Sequence, residues 1–252
     1  MTAVERPQHL PKGANACRNH GLGLARGKYV LFLDSDDALL PKALAVHQRN
    51  FSSPSILGSF TKYGTTTAAS WSDGDIPWPI YATKIDLLTA YLSKQILIPI
   101  NCVAWAKQSL PAQPFNVTLQ SGQDFAYIGS RLAQTVLEDV AFSDKSTTLI
   151  TIDPTSITRS PSAVRVAHYL RARLLLLEGG NLPTKAVRAM LKYARRFYYE
   201  LITDFPGQER AIAEQFKVAA ERADVHLMSP YWAKLERRAR AKFRRIGRRL
   251  KH

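Results

Sequence analysis

The stretch Gly27-Lys28-Tyr29-Val30-Leu31-Phe32-Leu33-Asp34-Ser35-Asp36-Asp37 sets the frame for everything else in the chain. A short apolar run bounded by glycine on one side and carboxylates on the other reads as a buried strand, Lys28 to Leu33, of a parallel sheet. Ligands of open α/β sheets bind just beyond the carboxyl ends of strands. Asp34, Asp36 and Asp37 occupy that position and are the first candidates for chemistry.

The flanking residues extend the pattern. Residues 13 to 27 have small and apolar side chains at 14, 17, 22 and 25, which predicts a helix feeding directly into the strand, with Gly27 as its stop. Pro41 suits the first turn of a second helix running to about Phe51. Alternation predicts a strand over Ile56 to Tyr63 with a returning partner from Thr65 to Trp71, and Asp73-Gly74-Asp75 reads as a solvated turn. A helix over Ile85 to Leu97 and a strand over Ile98 to Ala106 follow. Phe125, Ile128 and Leu132 share a helical face, which leaves Asp124 in the first turn beside the positive end of the helix dipole. Leu149 to Ile152 is the last predicted strand, and helices are expected over residues 164 to 178, 184 to 204 and 209 to 225. The expected organisation is an α/β domain over residues 1–160, a helical hairpin or bundle over 161–228 and a basic amphipathic helix over 229–252.

Composition narrows the partners. With 46% hydrophobic residues the chain is not a disordered one. The formal net charge is +15, and +9 of it falls between Lys234 and Lys251, where ten basic residues meet one acid, Glu236. Trp232, Leu235, Ala239, Phe243, Ile246 and Leu250 recur there at spacings of three or four, the pattern of a helix lying on an anionic membrane surface. The competing reading of that stripe is a helix docked on the protein itself. Nucleic acid is the weakest partner, because no recognised nucleic-acid-binding fold surrounds the tail. Cys17 and Cys102 are too few for a disulfide framework and read as free thiols. Residues 1–7 contain no apolar signal segment, so the expected location is cytoplasmic, peripheral on the inner face of the cell membrane. Trp71, Trp78 and Trp105 are expected in the core more than on a sugar face.

Taken together, Asn15-Ala16-Cys17-Arg18-Asn19-His20-Gly21-Leu22-Gly23-Leu24-Ala25-Arg26-Gly27, the strand, Asp34-Ser35-Asp36-Asp37 and Leu40-Pro41-Lys42-Ala43-Leu44 resemble family 2 glycosyltransferases of the GT-A fold. Gly122-Gln123-Asp124 with Arg131-Leu132 resembles the family's later G-E-D…R-L segment, with Gln123 in place of the usual Glu. The resemblance implies an inverting transfer of sugar from a nucleotide-diphosphate donor to a saccharide or lipid-linked acceptor, in surface polysaccharide or glycolipid assembly. It implies Mg²⁺ or Mn²⁺ held by Asp36 with Asp34, nucleotide or substrate contacts from Arg18, Asp34, Asp37 and Arg159, and Asp124 as the catalytic base. Asn19 is expected to be a structural neighbour, and His168 a surface histidine before a metal ligand.

The resemblance spans about Lys12 to Arg171 and lacks the strands that usually precede it in the family. The expected fold is therefore a partial GT-A (Rossmann-like) mixed sheet without its first strands, followed by a C-terminal helical region. Lys28 to Leu33 would then be a central strand with an open edge. The alternative expectation is a truncated, catalytically inactive remnant that binds a membrane or partner through its basic tail.

Overall fold

A computed structural model describes residues 3–67, 70–73, 83–152 and 162–229. In chain order the elements are α1 (Ala14–Leu24), β1 (Tyr29–Leu31), β2 (Ala38–Leu39), α2 (Ala43–Asn50), β3 (Gly58–Thr67), β4 (Ser70–Asp73), α3 (Lys84–Leu92), β5 (Val103–Ala106), α4 (Gln123–Gln134), β6 (Val140–Thr151), α5 (Ala163–Glu178), α6 (Thr184–Asp204) and α7 (Arg210–Arg222). Asp75, Trp78, Arg159 and the whole basic tail from residue 230 lie outside the described residues.

The strands form one mixed sheet in the order β1-β5-β3-β6-β2, with β4 pairing β3 off that path. Only β3 and β6 run parallel among the described pairs. The strand expected to have an open edge stands at the end of the strand order, and its neighbour among the described residues, β5, is antiparallel to it and not parallel as the apolar run implied: Tyr29 faces Ala106, Val30 faces Trp105 and Leu31 faces Ala104. Its burial is also one-sided. Val30 is inside, whereas Tyr29 is 44% exposed and covers itself by stacking on Phe51 at 3.9 Å.

This order explains where the acids sit. β1 and β2 are consecutive in sequence but lie at opposite ends of the sheet, separated by β5, β3 and β6. Four inter-strand steps span about 19 Å in a flat sheet. Residues 32–37 must cover that gap while making a turn in which Asp37 N–H donates to Asp34 O at 3.2 Å. The sheet therefore curls, and the acidic turn is drawn across the carboxyl ends of β1, β3 and β6. A strand with an acidic end becomes an acidic strap over the strand ends.

Other boundaries moved for identifiable reasons. α3 ends at Leu92 because Lys94 takes a left-handed φ of 59° and Gln95 N–H returns to Ala90 O at 2.9 Å. The last strand begins at Val140, nine residues ahead of the expected Leu149. Its polar centre hid it from a hydrophobic pattern. Thr147 and Thr148 are fully buried, and they are satisfied by Thr61 Oγ1 at 2.6 Å and Asn101 O at 2.7 Å.

The main core gathers Phe60, Leu88, Ile98, Ile100, Trp105 and Ile128, together with Ala172 and Leu176 of α5 and Ala186 and Met190 of α6. Trp105 is fully buried edge-on to Phe60, so it is a core residue, as the composition implied. A second cluster joins Val166, Leu170, Leu191, Phe197, Leu201 and Phe216 of α5, α6 and α7. α5 and α6 thus belong to both clusters, and they bring charged residues of the helical region against α4. Both cysteines are free thiols, with Cys102 buried and Cys17 exposed. Among the described residues no helix is long and apolar enough to cross a membrane.

Candidate active site

Arg18 is the centre of the site. It sits in the second turn of α1, and its side chain is only 11% exposed, with its guanidinium 5.4 Å from the ring of Phe115. From that position Nη2 donates to Asp34 Oδ1 and Nη1 donates to Asp124 Oδ1 at 3.1 Å. One cation therefore binds an acid of the strap after β1 and an acid in the first turn of α4. Charge-assisted bonds of this kind hold both direction and distance.

The loop that carries Asp124 is itself tied to α1. Asn19 makes a two-point clamp on Phe115, donating from Nδ2 to its carbonyl at 2.8 Å and accepting its N–H at 3.0 Å. Asn15 donates to Asn116 O at 2.6 Å. The expected structural role of Asn19 is what the contacts describe. At the start of α4, Gly122 has a φ of 72°, and a Cβ there would lie 3.1 Å from Ala172 Cβ. A side chain would push α4 from α5, so glycine keeps Asp124 facing Arg18.

Electrostatics distinguishes the four acids. Burial pushes the Asp124 carboxyl above its ordinary value and the charge of Asp34 adds to that push, while Arg18 and Lys94 oppose it. The side chain remains 39% exposed, so its oxygens are reachable although protein walls strip much of its hydration. Asp37 is also raised, first by burial. Its Oδ1 accepts from Thr151 N–H at 2.9 Å and its Oδ2 from Asn101 Nδ2. Both oxygens of Asp37 are occupied in pinning the strap to the end of β6 and to the residues before β5. Asp36 differs: its carbonyl accepts from Thr151 Oγ1, and its side chain is exposed with no protein partner among the described residues. Asp34 and Asp36 are thus the acids of the strap that still have oxygens to offer.

The structure brings Arg18, Asp34 and Asp124 into direct contact, with Asp36 and Asp37 on the same strap. His168 is engaged elsewhere: its Nδ1 accepts from Gln120 N–H at 3.3 Å, and burial lowers its pKa. Among the described residues no three His, Cys, Asp or Glu side chains converge as a metal cluster. Spacing gave no sign of Lys94, Arg173 and Tyr91, which stand behind Asp124. Tyr91 donates its hydroxyl to Asp124 O at 3.3 Å, and burial holds that hydroxyl well above the usual phenol pKa.

A curled mixed sheet with an acidic strap at the strand ends and helices behind it is the GT-A arrangement. A crystal structure of S. aureus TarS residues 1–349 in complex with UDP shares the fold, with a TM-score of 0.55 at 16% identity, over 86% of this chain and 65% of that one. The chain thus spans a little under two thirds of that structure's length. A second structure, of the same S. aureus protein in complex with UDP-GlcNAc, matches at 14% identity and a TM-score of 0.45, over 81% of this chain and 70% of that one. No curated protein matches the chain. The family described as Glycosyl transferase family 2 matches residues 5–108. That stretch, which runs from the lead into α1 through β5 and includes the acidic strap, is similar to this family. Asp124 lies beyond the matched residues and is tied to them through Arg18.

Proposed function

We propose that this protein transfers a sugar from a nucleotide-diphosphate donor to an acceptor hydroxyl with inversion at the anomeric carbon. The observation that carries the reading is the double ion pair of Arg18, which joins the acidic strap to Asp124, 106 positions beyond Arg18 itself. Donor-side acids and a proton acceptor thereby share one site.

The residues suit a divalent ion of the Mg²⁺ or Mn²⁺ type. Such ions take one or two carboxylates and complete their shell with water and phosphate oxygens, so the free carboxylate of Asp36 with Asp34 beside it is a sufficient protein contribution. When bound, the ion neutralises the leaving diphosphate. Arg18 adds a fixed positive charge near the same oxygens, and Asp37 keeps the strap in register. In the transfer, the acceptor oxygen forms its bond to the anomeric carbon as the bond from that carbon to the diphosphate oxygen breaks. The acceptor proton passes to Asp124, whose raised pKa makes it a better base than an ordinary aspartate. Departure of the nucleoside diphosphate balances the charge.

UDP in the TarS complex is the precedent for testing a uridine donor first. A saccharide or lipid-linked acceptor in surface polysaccharide or glycolipid assembly, at the inner face of the cell membrane, fits the basic segment 230–252, whose Lys and Arg each contribute roughly 1 kcal/mol near acidic lipid. Calorimetry of the full chain with UDP and Mn²⁺ tests the reading. Binding heat that disappears in Asp36→Ala supports it, and no heat with any nucleoside diphosphate favours the inactive remnant.

A further inference from the structure

Behind Asp124, three cations are threaded along a row of aromatic rings. Arg173 on α5 is 1% exposed, and its guanidinium lies 4.0 Å from the centre of Phe125 and 5.2 Å from that of Phe197. Lys94, just past α3, places Nζ 5.1 Å from Phe125 and 5.7 Å from Tyr91. Arg196 on α6 is 4.5 Å from Phe197 and 4.3 Å from Tyr193. Phe125 and Phe197 are each shared by two of the cations. Ring faces attract such groups, but they do not neutralise them.

Charge balance is the anomaly. Arg173 donates from Nη1 to Tyr169 O at 2.6 Å, and its buried Nε has no acceptor. Among the described residues, none of the three forms an ion pair with a carboxylate. Burial, with Arg173 and Arg196 adding to it, lowers Lys94 to about 8; the opposing charge it feels is Asp124. That acid is already taken by Arg18. Burying like charges together without an anion is unfavourable unless something brings the anion. Lys94 is only partly covered and Arg196 is exposed, so the two ends of the row reach solvent, and the charge of Arg196 is felt at Lys94.

We propose that Lys94 and Arg196, backed by the buried Arg173, form an anion subsite beside Asp124 that takes a phosphate-type group of the acceptor. The ring row fixes the position of the positive charge and Asp124 lies within its field. An acceptor held here by its anion presents a neighbouring hydroxyl to the base, which converts a diffusive encounter into a positioned one. Assignment to the acceptor rests on the transferase reading; the anion site does not.

The test is calorimetric titration of the full chain with inorganic phosphate, with and without saturating UDP and Mn²⁺. Saturable binding is expected in both conditions. It should weaken at least about tenfold in Lys94→Met and in Arg196→Gln, each removing a charge-assisted contact, and be kept in Lys94→Arg and in Asp36→Asn. Equal phosphate affinity in wild type, Lys94→Met and Arg196→Gln would overturn the site. Displacement of phosphate by UDP would overturn it as an acceptor site, because the anion would then occupy the donor position. Absence of UDP binding alongside Lys94-dependent phosphate binding supports the anion site while removing the transferase reading. Circular dichroism of the Lys94 and Arg196 variants confirms folding, since neither side chain is part of the closed core.

Discussion

Arg18 Nη1 and Asp124 Oδ1 stand 3.1 Å apart, joining the second turn of α1 to the first turn of α4. The same guanidinium holds Asp34. Without it two carboxylates would face each other in a partly desolvated cleft, with the charge of Asp34 raising the Asp124 pKa unopposed by the guanidinium. Arg18 therefore sets the distance between strap and base and opposes protonation of the base.

Replacing Arg18 by methionine should lower transfer by about a hundredfold, through loss of a positioned charge at the reacting centre. A purely structural defect would leave the pH profile where it was. Because Arg18 lowers the Asp124 pKa, its removal should move the acidic limb of kcat/KM to higher pH. An unmoved limb would separate Arg18 from the base.

Asp36 and Asp37 are adjacent in sequence and should fail differently. Asp36→Asn should weaken Mn²⁺-dependent nucleotide binding while leaving the melting temperature near that of wild type, since its carboxylate is exposed and bonded to no described residue. Asp37→Ala strips acceptors from Thr151 N–H and Asn101, and should cost about 2 kcal/mol of stability. Paired calorimetry and thermal melts check the split; the opposite pattern would assign the metal to Asp37.

How much of this was readable beforehand depended on distance. The apolar run ending at Asp34, the helix before it, and Asp124 at the start of α4 were legible because each signal lies within one turn or one strand. The strand's open edge was expected too, but its antiparallel pairing was not, since that is decided by β5 arriving later in the chain. Asp37 looks like its neighbours in sequence, and only Asn101 and Thr151 reveal its separate role. β6 escaped because its buried threonines are made tolerable by Thr61 and Asn101, far away in the chain. Lys94, Arg173 and Arg196 belong to three different elements, and no spacing rule relates them.

His47 gives a stability prediction with a defined sign. It is 4% exposed, bonded to Ser59 Oγ at 2.8 Å through Nδ1, and burial lowers its pKa to about 4 from the ordinary 6.5. Above pH 6.5 neither state binds the proton. Between 6.5 and 4 the unfolded chain binds it and the folded chain does not, so stability falls as the pH drops, by about 3 kcal/mol in total. Below pH 4 the contribution of this residue is flat. Urea midpoints measured from pH 7.5 to 4 should show that slope in wild type and a shallower one in His47→Gln.

Gly122 tests whether α5 sets the position of the base. Alanine there faces two separate costs. The left-handed φ of 72° disfavours any Cβ by roughly 1 kcal/mol. The new methyl would also press on Ala172 Cβ at 3.1 Å and Tyr169 Cδ1 at 3.3 Å. Overpacking of this kind is relieved by moving the lighter element, here the first turn of α4, and with it Asp124. Gly122→Ala should therefore lower the melting temperature and reduce kcat more than donor affinity. Adding Ala172→Gly removes the tighter contact but not the backbone cost. If the wall formed by α5 places the base, the double variant should recover much of kcat while its melting temperature stays low; if kcat and melting temperature remain depressed together, the geometry of Asp124 is set by the loop alone.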